Sequence, residues 1–220
     1  MKGAGKAVLR TKKNVGIVFA EQTSILAVGD IQVRNSLVHC QVKSNGQLRM
    51  IGDRTSIVGG TLRCRGGLET HNLGSERGTK TVVCFGQDFL IADRIEREEK
   101  EIETAKKEIA RIDFAMKEKE REHEKEALDA LHRRKLALLK TIEKRGLRVF
   151  TLRERFEEHH EGSITVHSTL HPGVVFESHG RTREITSPRK NVVVIFNRES
   201  GRIEVTGAEA GDGSGSATDS

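Results

Sequence analysis

The histidines of this 220-residue chain could bind a metal, and five of the nine lie late in the sequence. A zinc site needs two or three such ligands on one face, with a supporting acid. Two of the five are adjacent, so they diverge on a predicted helix, while the others fall on a predicted strand and in loops. The pattern therefore predicts solvated histidines and no metal site. The residues concerned are His159, His160, His167, His171 and His179.

Serines recur at intervals in the first part of the chain, where they could suggest nucleophiles. A nucleophilic serine requires a base within hydrogen-bond reach, and no base recurs at a matching position. Their spacing indicates turn or coil-corner residues instead. These serines are Ser24, Ser36, Ser56 and Ser75.

Two glycine pairs, Gly59-Gly60 and Gly66-Gly67, resemble phosphate-binding loops only loosely. A nucleotide site requires the loop to lead into a helix with Lys-Ser or Lys-Thr, and neither pair does. The six-residue period of left-handed β-helix acyltransferases is also missing from this sequence. We therefore predict a protein that is not an enzyme, with no catalytic, cofactor-binding or metal-binding residues and no cofactor.

A charged stretch from Asp88 to Glu161 dominates the sequence and contains one glycine, Gly146, and no proline. Apolar residues recur through it at spacings of three and four, a narrow seam typical of a coiled coil. A polar run interrupts the seam, which predicts a long antiparallel α-helical hairpin over 87–161 with its tip at about 117–127. The seam positions are Ile91, Ile95, Glu98, Ile102, Ala105, Ile109, Ile112 and Met116, then Leu128, Leu131, Lys135, Leu138, Ile142, Arg145, Val149, Leu152 and Phe156.

Two charged residues, Glu98 and Arg145, occupy opposite arms of this apolar seam. The arms can align so that facing residue numbers sum to about 240 or to about 247. Either alignment places Glu98 and Arg145 in neighbouring layers, within reach of a long arginine side chain. A charge left alone in an apolar seam is costly, so the sequence predicts that they pair. The alternative is that each side chain reaches solvent separately.

The residues before the hairpin, 7–86, contain short alternating apolar segments separated by glycines. Ser36-Leu37-Val38 recurs twenty residues later as Ser56-Ile57-Val58, and Ser75 continues the series. A period near twenty residues with glycine at each corner predicts the stacked coils of a parallel β-helix. The alternative is an antiparallel sandwich, whose strands also recur every 8–12 residues.

A second β region, 162–206, follows the hairpin and is too short to bury a core alone. We therefore expect it to pack onto 7–86 as one body, with the hairpin as an insertion that leaves Gly86 and Gly162 close together. The last segment, 207–220, consists mostly of Gly, Ala, Ser and acidic residues and is predicted to be disordered.

Composition limits the partners of the chain. No run of about 18 apolar residues is present, so no membrane span is predicted. The net charge of +6 includes a basic arm near the start, but no aromatic residues interleave with it, so a nucleic-acid role is not favoured. Three unclustered cysteines fit buried thiols in a reducing cytoplasm. They are Cys40, Cys64 and Cys84.

Four blocks of the sequence resemble the flagellar assembly protein A family of bacteria. They are the repeats around Gly29-Asp30-Ile31, the run Ile57-Val58-Gly59-Gly60, the segment Asn72–Thr81 leading to Gly86, and Pro172-Gly173-Val174 with the closing strands. The resemblance covers about residues 7–206. It implies a right-handed parallel β-helix interrupted by a helical hairpin and closed by the C-terminal strands.

The resemblance also implies a protein linked to flagellum assembly and its polar regulation, with no known catalysis. The cysteines predict the cytoplasm, and a polar regulatory role would place the protein at the cell pole. We expect a scaffold that docks protein partners through the hairpin and the β-helix surface, and homo-oligomers through an exposed β-helix end. The alternative is a self-assembling, bactofilin-like cytoskeletal element. Members of the family usually carry a further N-terminal domain and more coils, and functions of those parts are not transferred here.

Overall fold

A computed structural model describes residues 2–121 and 123–209 of the chain, with side chains from 7–121 and 123–207. The chain divides into two compact units. The first unit comprises Met1–Leu90 and Glu158–Ser220 and contains the strands, and the second comprises Ile91–Glu157 and is helical.

Within residues 2–121 and 123–209, thirteen strands form one sheet in the first unit. In chain order they are β1 (Lys2–Thr11), β2 (Val15–Ala27), β3 (Ile31–Ser44), β4 (Leu48–Met50), β5 (Ser56–Cys64), β6 (Gly67–Thr70), β7 (Asn72–Leu73), β8 (Thr81–Phe85), β9 (Ser163–Leu170), β10 (Val174–Ser178), β11 (Arg181–Glu184), β12 (Arg189–Asn197) and β13 (Arg202–Glu209). The helices are α1 (Phe89–Arg121) and α2 (Lys125–Glu157).

The strands from β1 to β10 stack as successive coils whose neighbours pair in parallel. β1 pairs with β2, β2 with β3, and β3 with both β4 and β5, because one long strand of the third coil faces two strands of the fourth. The same parallel pairing continues to β9 and β10, which come after the helices in sequence. This arrangement is a β-solenoid, and it excludes the antiparallel sandwich for these strands.

Apolar side chains stack in columns inside the solenoid. Residues that pair in successive coils are all aliphatic or aromatic and are almost completely buried, so each coil covers the apolar face of the next. Burying one such side chain contributes about 1.5–3 kcal/mol. The three columns are Ile31, Leu48, Leu68 and Ile164; Leu37, Ile57, Leu73 and Leu170; and Val42, Leu62, Val83 and Phe176.

The predicted twenty-residue repeat is confirmed between Ser36 and Ser56 but is wrong between Ser56 and Ser75. Ser36 pairs with Ser56, as the repeat predicted. Ser56 then pairs with Asn72 rather than with Ser75. The coil spacing changes because a single residue, His71, joins β6 to β7, whereas residues 51–55 join β4 to β5, so Asn72 instead of Ser75 faces Ser56.

The predicted corner glycines Gly29 and Gly46 lie in the bends before β3 and β4, and Gly67 begins β6, but other corners of the early coils have no glycine. β2 and β3 are continuous strands that each contain one left-handed residue, Gln22 (φ 49°) and His39 (φ 50°). The residues that flank Gln22 pair with the residues that flank His39, so Gln22 and His39 occupy matching positions in neighbouring coils. Gly59 (φ 68°) occupies the same position in the following coil. Only this third position has glycine, and the side chain of His39 fills the space that a Cβ on Gly59 would need.

The closing strands cover the last coil with antiparallel pairs. β11 pairs with β10, and β12 pairs with β9 on one side and β13 on the other. The predicted turn after Asn197 is confirmed, because its side-chain oxygen accepts hydrogen bonds from the backbone N–H groups of Glu199 and Ser200. β13 continues to Glu209, so the expectation of disorder from 207 is wrong for its first residues. Residues 210–220 lie outside the described residues.

The two ends of the inserted segment meet in the first unit, as the sequence predicted. A Cβ added to Gly162 would lie 3.3 Å from the backbone nitrogen of Gly86. The backbone N–H of His160 donates a hydrogen bond to the carbonyl of Gly86 at 3.1 Å. Ser178 Oγ donates to the carbonyl of Phe85 at 3.0 Å, which ties the end of β10 to the same place.

Candidate docking surface

The helical unit buries the predicted seam. Every seam position from Ile91 to Met116 and from Leu128 to Phe156 is buried or half-buried. α1 ends at Arg121 and α2 begins at Lys125, and both residues lie inside the predicted tip. α2 ends at Glu157, before the predicted end of the hairpin at 161. Neither helix of the described chain is apolar enough over a sufficient length to cross a membrane.

The predicted ion pair of the seam is confirmed. Arg145 Nη1 donates to Glu98 Oε2 at 2.7 Å. Two weaker contacts extend the pair, because Arg145 also lies 3.5 Å from Glu101, and Arg148 lies 3.8 Å from Glu98. The side chain of Arg145 is 27% exposed and that of Glu98 is 19% exposed, so the pair is partly shielded from water.

Further ion pairs join the two helices outside this position, and none of them was predicted from the sequence. Lys135, a seam position, reaches a carboxylate on α1 instead of remaining unpaired. In most of these pairs, a residue later in α1 is paired with a residue earlier in α2. The pairs are Glu99 with Arg153 at 2.6 Å, Glu108 with Arg134 at 2.6 Å, and Asp113 with Lys135 at 2.6 Å.

A second set of apolar residues on α2 lies outside the seam and is exposed; we call it the apolar row. Its side chains are 46–66% exposed, although each is a large hydrophobic residue. Sequence reasoning missed this row, and its signal was the spacing of three, eight and three residues between its members. The apolar row consists of Leu136, Leu139, Leu147 and Phe150.

Charge is distributed unequally between the helices. α2 contains ten Lys and Arg against five Asp and Glu, whereas α1 contains nine against ten. Among the described residues, several basic side chains of α2 form no ion pair, in contrast to those that bind α1. These exposed residues, which we call the basic flank, are Arg133, Lys140, Lys144 and Arg155.

A groove of about 540 Å³ lies on the helical unit beside the apolar row. Leu147 belongs to both, and Leu152 and Thr151 also line the groove. Its charged lining is mainly basic, since it contains three arginines, Arg94, Arg97 and Arg148, and one carboxylate, that of Glu98. The apolar row, the basic flank and this groove together offer a partly apolar, basic surface.

The structure brings together two histidines that the sequence did not connect. The rings of His159 and His179 lie 5.1 Å apart, and Phe196 stacks on His179 at 4.5 Å. Both histidines are half-buried, so the prediction of solvated side chains is wrong for them. The reason is that α2 ends at Glu157, which leaves His159 in the segment that returns beside β10. Burial lowers the pKa of His159, and Arg198 and His160 lower it further.

The remaining histidines do not assemble a site. His167 is exposed, as predicted, and its Nε2 lies 3.1 Å from the carboxylate of Glu69. His160 and His171 are half-buried, so the prediction of solvated side chains is wrong for them too, and they lie outside strands and helices. Within residues 7–121 and 123–207, no group of three or more His, Cys, Asp or Glu side chains could hold a metal ion.

The serines and cysteines occupy structural positions. Ser24, Ser36 and Ser56 lie within strands rather than turns, because the coils continue as strands through those positions. Ser75 does lie in a turn, where its hydroxyl donates to Thr79 Oγ1 at 2.8 Å.

All three cysteines are free and buried. Burial raises the pKa of Cys40 and Cys64. Burial, and then the carboxylate of Glu177 at 3.2 Å, raises the pKa of Cys84 to about 12. These thiols therefore remain protonated and unreactive at neutral pH.

A parallel β-solenoid that receives a helical hairpin between Phe85 and Ser163, in the middle of its coils, defines a narrow class of protein. The family model described as Flagellar Assembly Protein A beta solenoid domain matches residues 1–203, which include all the coils and the hairpin. The chain therefore belongs to the flagellar assembly protein A family. No curated protein and no solved structure matches this chain.

Proposed function

We propose that this chain is a non-enzymatic bacterial scaffold that docks protein partners during flagellum assembly or its polar regulation. Membership of the flagellar assembly protein A family supports the flagellar role. The observation that carries the docking role is the exposed apolar row of α2, since large hydrophobic side chains grouped on a surface mark interaction sites.

The proposal includes a finer account of the architecture. The hairpin is an antiparallel coiled coil, which is supported by the narrow seam and by the pairing of Glu98 with Arg145 and Glu108 with Arg134. The solenoid is right-handed, which is supported by the strong preference of parallel β connections for that hand. Residues 7–86 and 162–206 form one domain, with 87–161 inserted.

The proposed location is the cytoplasm at the cell pole. Three buried free thiols support a reducing compartment. The polar location is carried over from what the family resemblance implies. The absence of catalysis is supported by the structural positions of the serines and cysteines described above.

A bactofilin-like filament is the second candidate, because β1 pairs only with β2 among the described residues and so offers an edge for strand addition. The scaffold is favoured because β11 and β12 already occupy the outer edges of the last coil. Light scattering coupled to size-exclusion chromatography separates the two. A scaffold keeps a constant mass over a hundredfold range of concentration, whereas a filament grows with concentration.

Replacing residues 91–157 by a short Gly-Ser linker in the host cell tests the docking role of the hairpin. The comparison requires equal protein levels of the variant and the wild type, together with a strain that lacks the gene. We expect the variant to resemble the gene deletion when flagella are counted by electron microscopy. Normal flagellation with the variant would contradict the proposal.

A further inference from the structure

We propose that the apolar row of α2 binds one acidic amphipathic helix of a partner protein, which makes a third helix beside the hairpin. This inference rests on the proposed docking function and specifies its surface and the chemistry of the partner. It follows from the spacing, the local glycine and the charge of the residues on this face.

The row has the geometry of a helix-binding face. Leu136, Leu139, Leu147 and Phe150, with Glu143 between them, recur at steps of three and four residues. At 3.6 residues per turn they fall within an arc of about 80° on α2. At 1.5 Å per residue the row is about 21 Å long, which matches four turns of a partner helix. Helices that bind in grooves use anchors with this spacing.

Gly146 is an independent indication that something packs on this face. It lies in an α-helix, where glycine costs about 0.5–1 kcal/mol relative to alanine. Among the described residues, no atom lies within 4 Å of a Cβ built at this position, so no contact there requires glycine. Gly146 is three residues from Glu143 and four from Phe150, so it leaves a gap in the row. A partner side chain or backbone that enters this gap explains the residue.

Charge selects the partner. Arg133, Lys140 and Lys144 follow one side of the row and form no ion pair among the described residues. Glu143 is the single acid between the ends of the row. A partner helix with carboxylates along its edge would complement this flank, whereas α2 of a second copy would bring like charges together.

The groove extends the same preference beyond Leu147. Arg94 and Arg97 are exposed on α1 and form no ion pair within the described chain, while Arg148 has only a distant contact with Glu98. Guanidinium groups bind carboxylates with two parallel hydrogen bonds. An acidic residue near the end of the partner helix would therefore fit between these arginines.

A lipid bilayer or a nucleic acid fits this surface less well. The exposed residues form a narrow row that contains Glu143 and Gly146, and neither residue favours insertion into lipid. Only Phe150 among the row residues is aromatic, which does not provide the stacking platform that single-stranded nucleic acids use.

Peptide binding to the full chain tests the proposal. The probe is a fluorescein-labelled amphipathic helix of roughly 21 residues, which covers the four turns of the row with about one extra turn at each end. It carries leucine on one face and glutamate along both edges. Its control replaces every glutamate by lysine. Fluorescence anisotropy at low salt should show saturable binding of the glutamate peptide and at least tenfold weaker binding of the lysine peptide.

Matched variants locate the binding face. Phe150→Glu places a charge in the row and should weaken binding by roughly tenfold or more, the effect of losing an interface anchor. Phe114→Glu is the control, because Phe114 is 66% exposed on α1 and Phe150 is 63% exposed on α2. Gly146→Leu should also weaken binding by filling the gap, while circular dichroism shows that helix content is retained.

Four results would overturn the proposal. They are no saturable binding of the glutamate peptide, equal losses from Phe114→Glu and Phe150→Glu, tighter binding to phosphatidylglycerol vesicles than to the peptide, and self-association that Phe150→Glu abolishes. The flagellar role is judged separately, by the flagella of cells with the hairpin replaced. Peptide binding with normal flagella in those cells would keep this inference and reject the proposed function.

Discussion

The ion pair between Glu98 and Arg145 gives the sharpest energetic prediction for the hairpin. Their side chains join at 2.7 Å and are 19% and 27% exposed, respectively. Breaking a fully buried pair costs about 3–5 kcal/mol, and breaking an exposed pair costs about 0–1 kcal/mol. Because this pair is intermediate, and because Arg145 keeps Glu101 at 3.5 Å, we expect Glu98→Leu to cost about 1–2 kcal/mol.

The double variant should behave differently from the sum of its parts. Glu98→Leu with Arg145→Leu restores an apolar layer without a buried charge, so its stability should equal or exceed that of the wild type. The resulting coupling energy is at least about 1–2 kcal/mol, or a few degrees in melting temperature for a chain of this length. Thermal unfolding followed at 222 nm measures the helical signal in all four proteins.

An exposed pair provides the control for this cycle. Glu103 and Lys107 lie 3.8 Å apart on α1 and are 59% and 72% exposed. The same leucine substitutions there should show a coupling energy below about 0.5 kcal/mol. Losses at Glu98 and Arg145 that add to within about 0.5 kcal/mol would refute the reasoning, because they would show that the two side chains do not interact.

Three further predictions concern the rest of the chain. Gly146→Ala should stabilise the hairpin by about 0.5–1 kcal/mol, because it removes a helical glycine without any contact; an unchanged or lower melting temperature would contradict this. The pKa of His159 in the folded protein lies below its ordinary value of 6.5, so on acidification the unfolded state binds a proton at a higher pH than the folded state. Stability should therefore fall as the pH drops below 6.5. Urea unfolding should show a weaker pH dependence for His159→Phe than for the wild type. The thiols of Cys40, Cys64 and Cys84 should react with a thiol reagent only in denaturant, and prompt reaction of the native protein would show that they are not buried.

The sequence predicted the hairpin well because its signal is local. A seam at spacings of three and four predicts which residues are buried, and the charged exceptions Glu98 and Arg145 were close enough in it for pairing to be one of two expected outcomes. The solenoid ladder was predicted where its period was regular, as for Ser36 and Ser56. It failed at Ser75, because the length of a loop between coils leaves no periodic trace in the sequence.

The corners and the candidate surface were harder to predict for physical reasons. Gln22 and His39 adopt positive φ without being glycine, so a rule based on glycine cannot find those corners. The apolar row of α2 does have helical spacing, but Glu143 and Gly146 interrupt it. The sequence alone does not show that the seam leaves this second row exposed. The contact of His159 with His179 depends on where α2 ends, and helix ends are weakly specified by sequence.

The most direct measurement of the central claim is the number of flagella on cells that carry single substitutions in this chain. Phe150→Glu changes the apolar row, and Phe114→Glu changes an equally exposed residue outside it. At matched protein levels, the docking account predicts that Phe150→Glu lowers the fraction of flagellated cells to that of a gene deletion, while Phe114→Glu leaves it unchanged. Wild-type flagellation with Phe150→Glu, where the gene deletion itself loses flagella, would contradict the account.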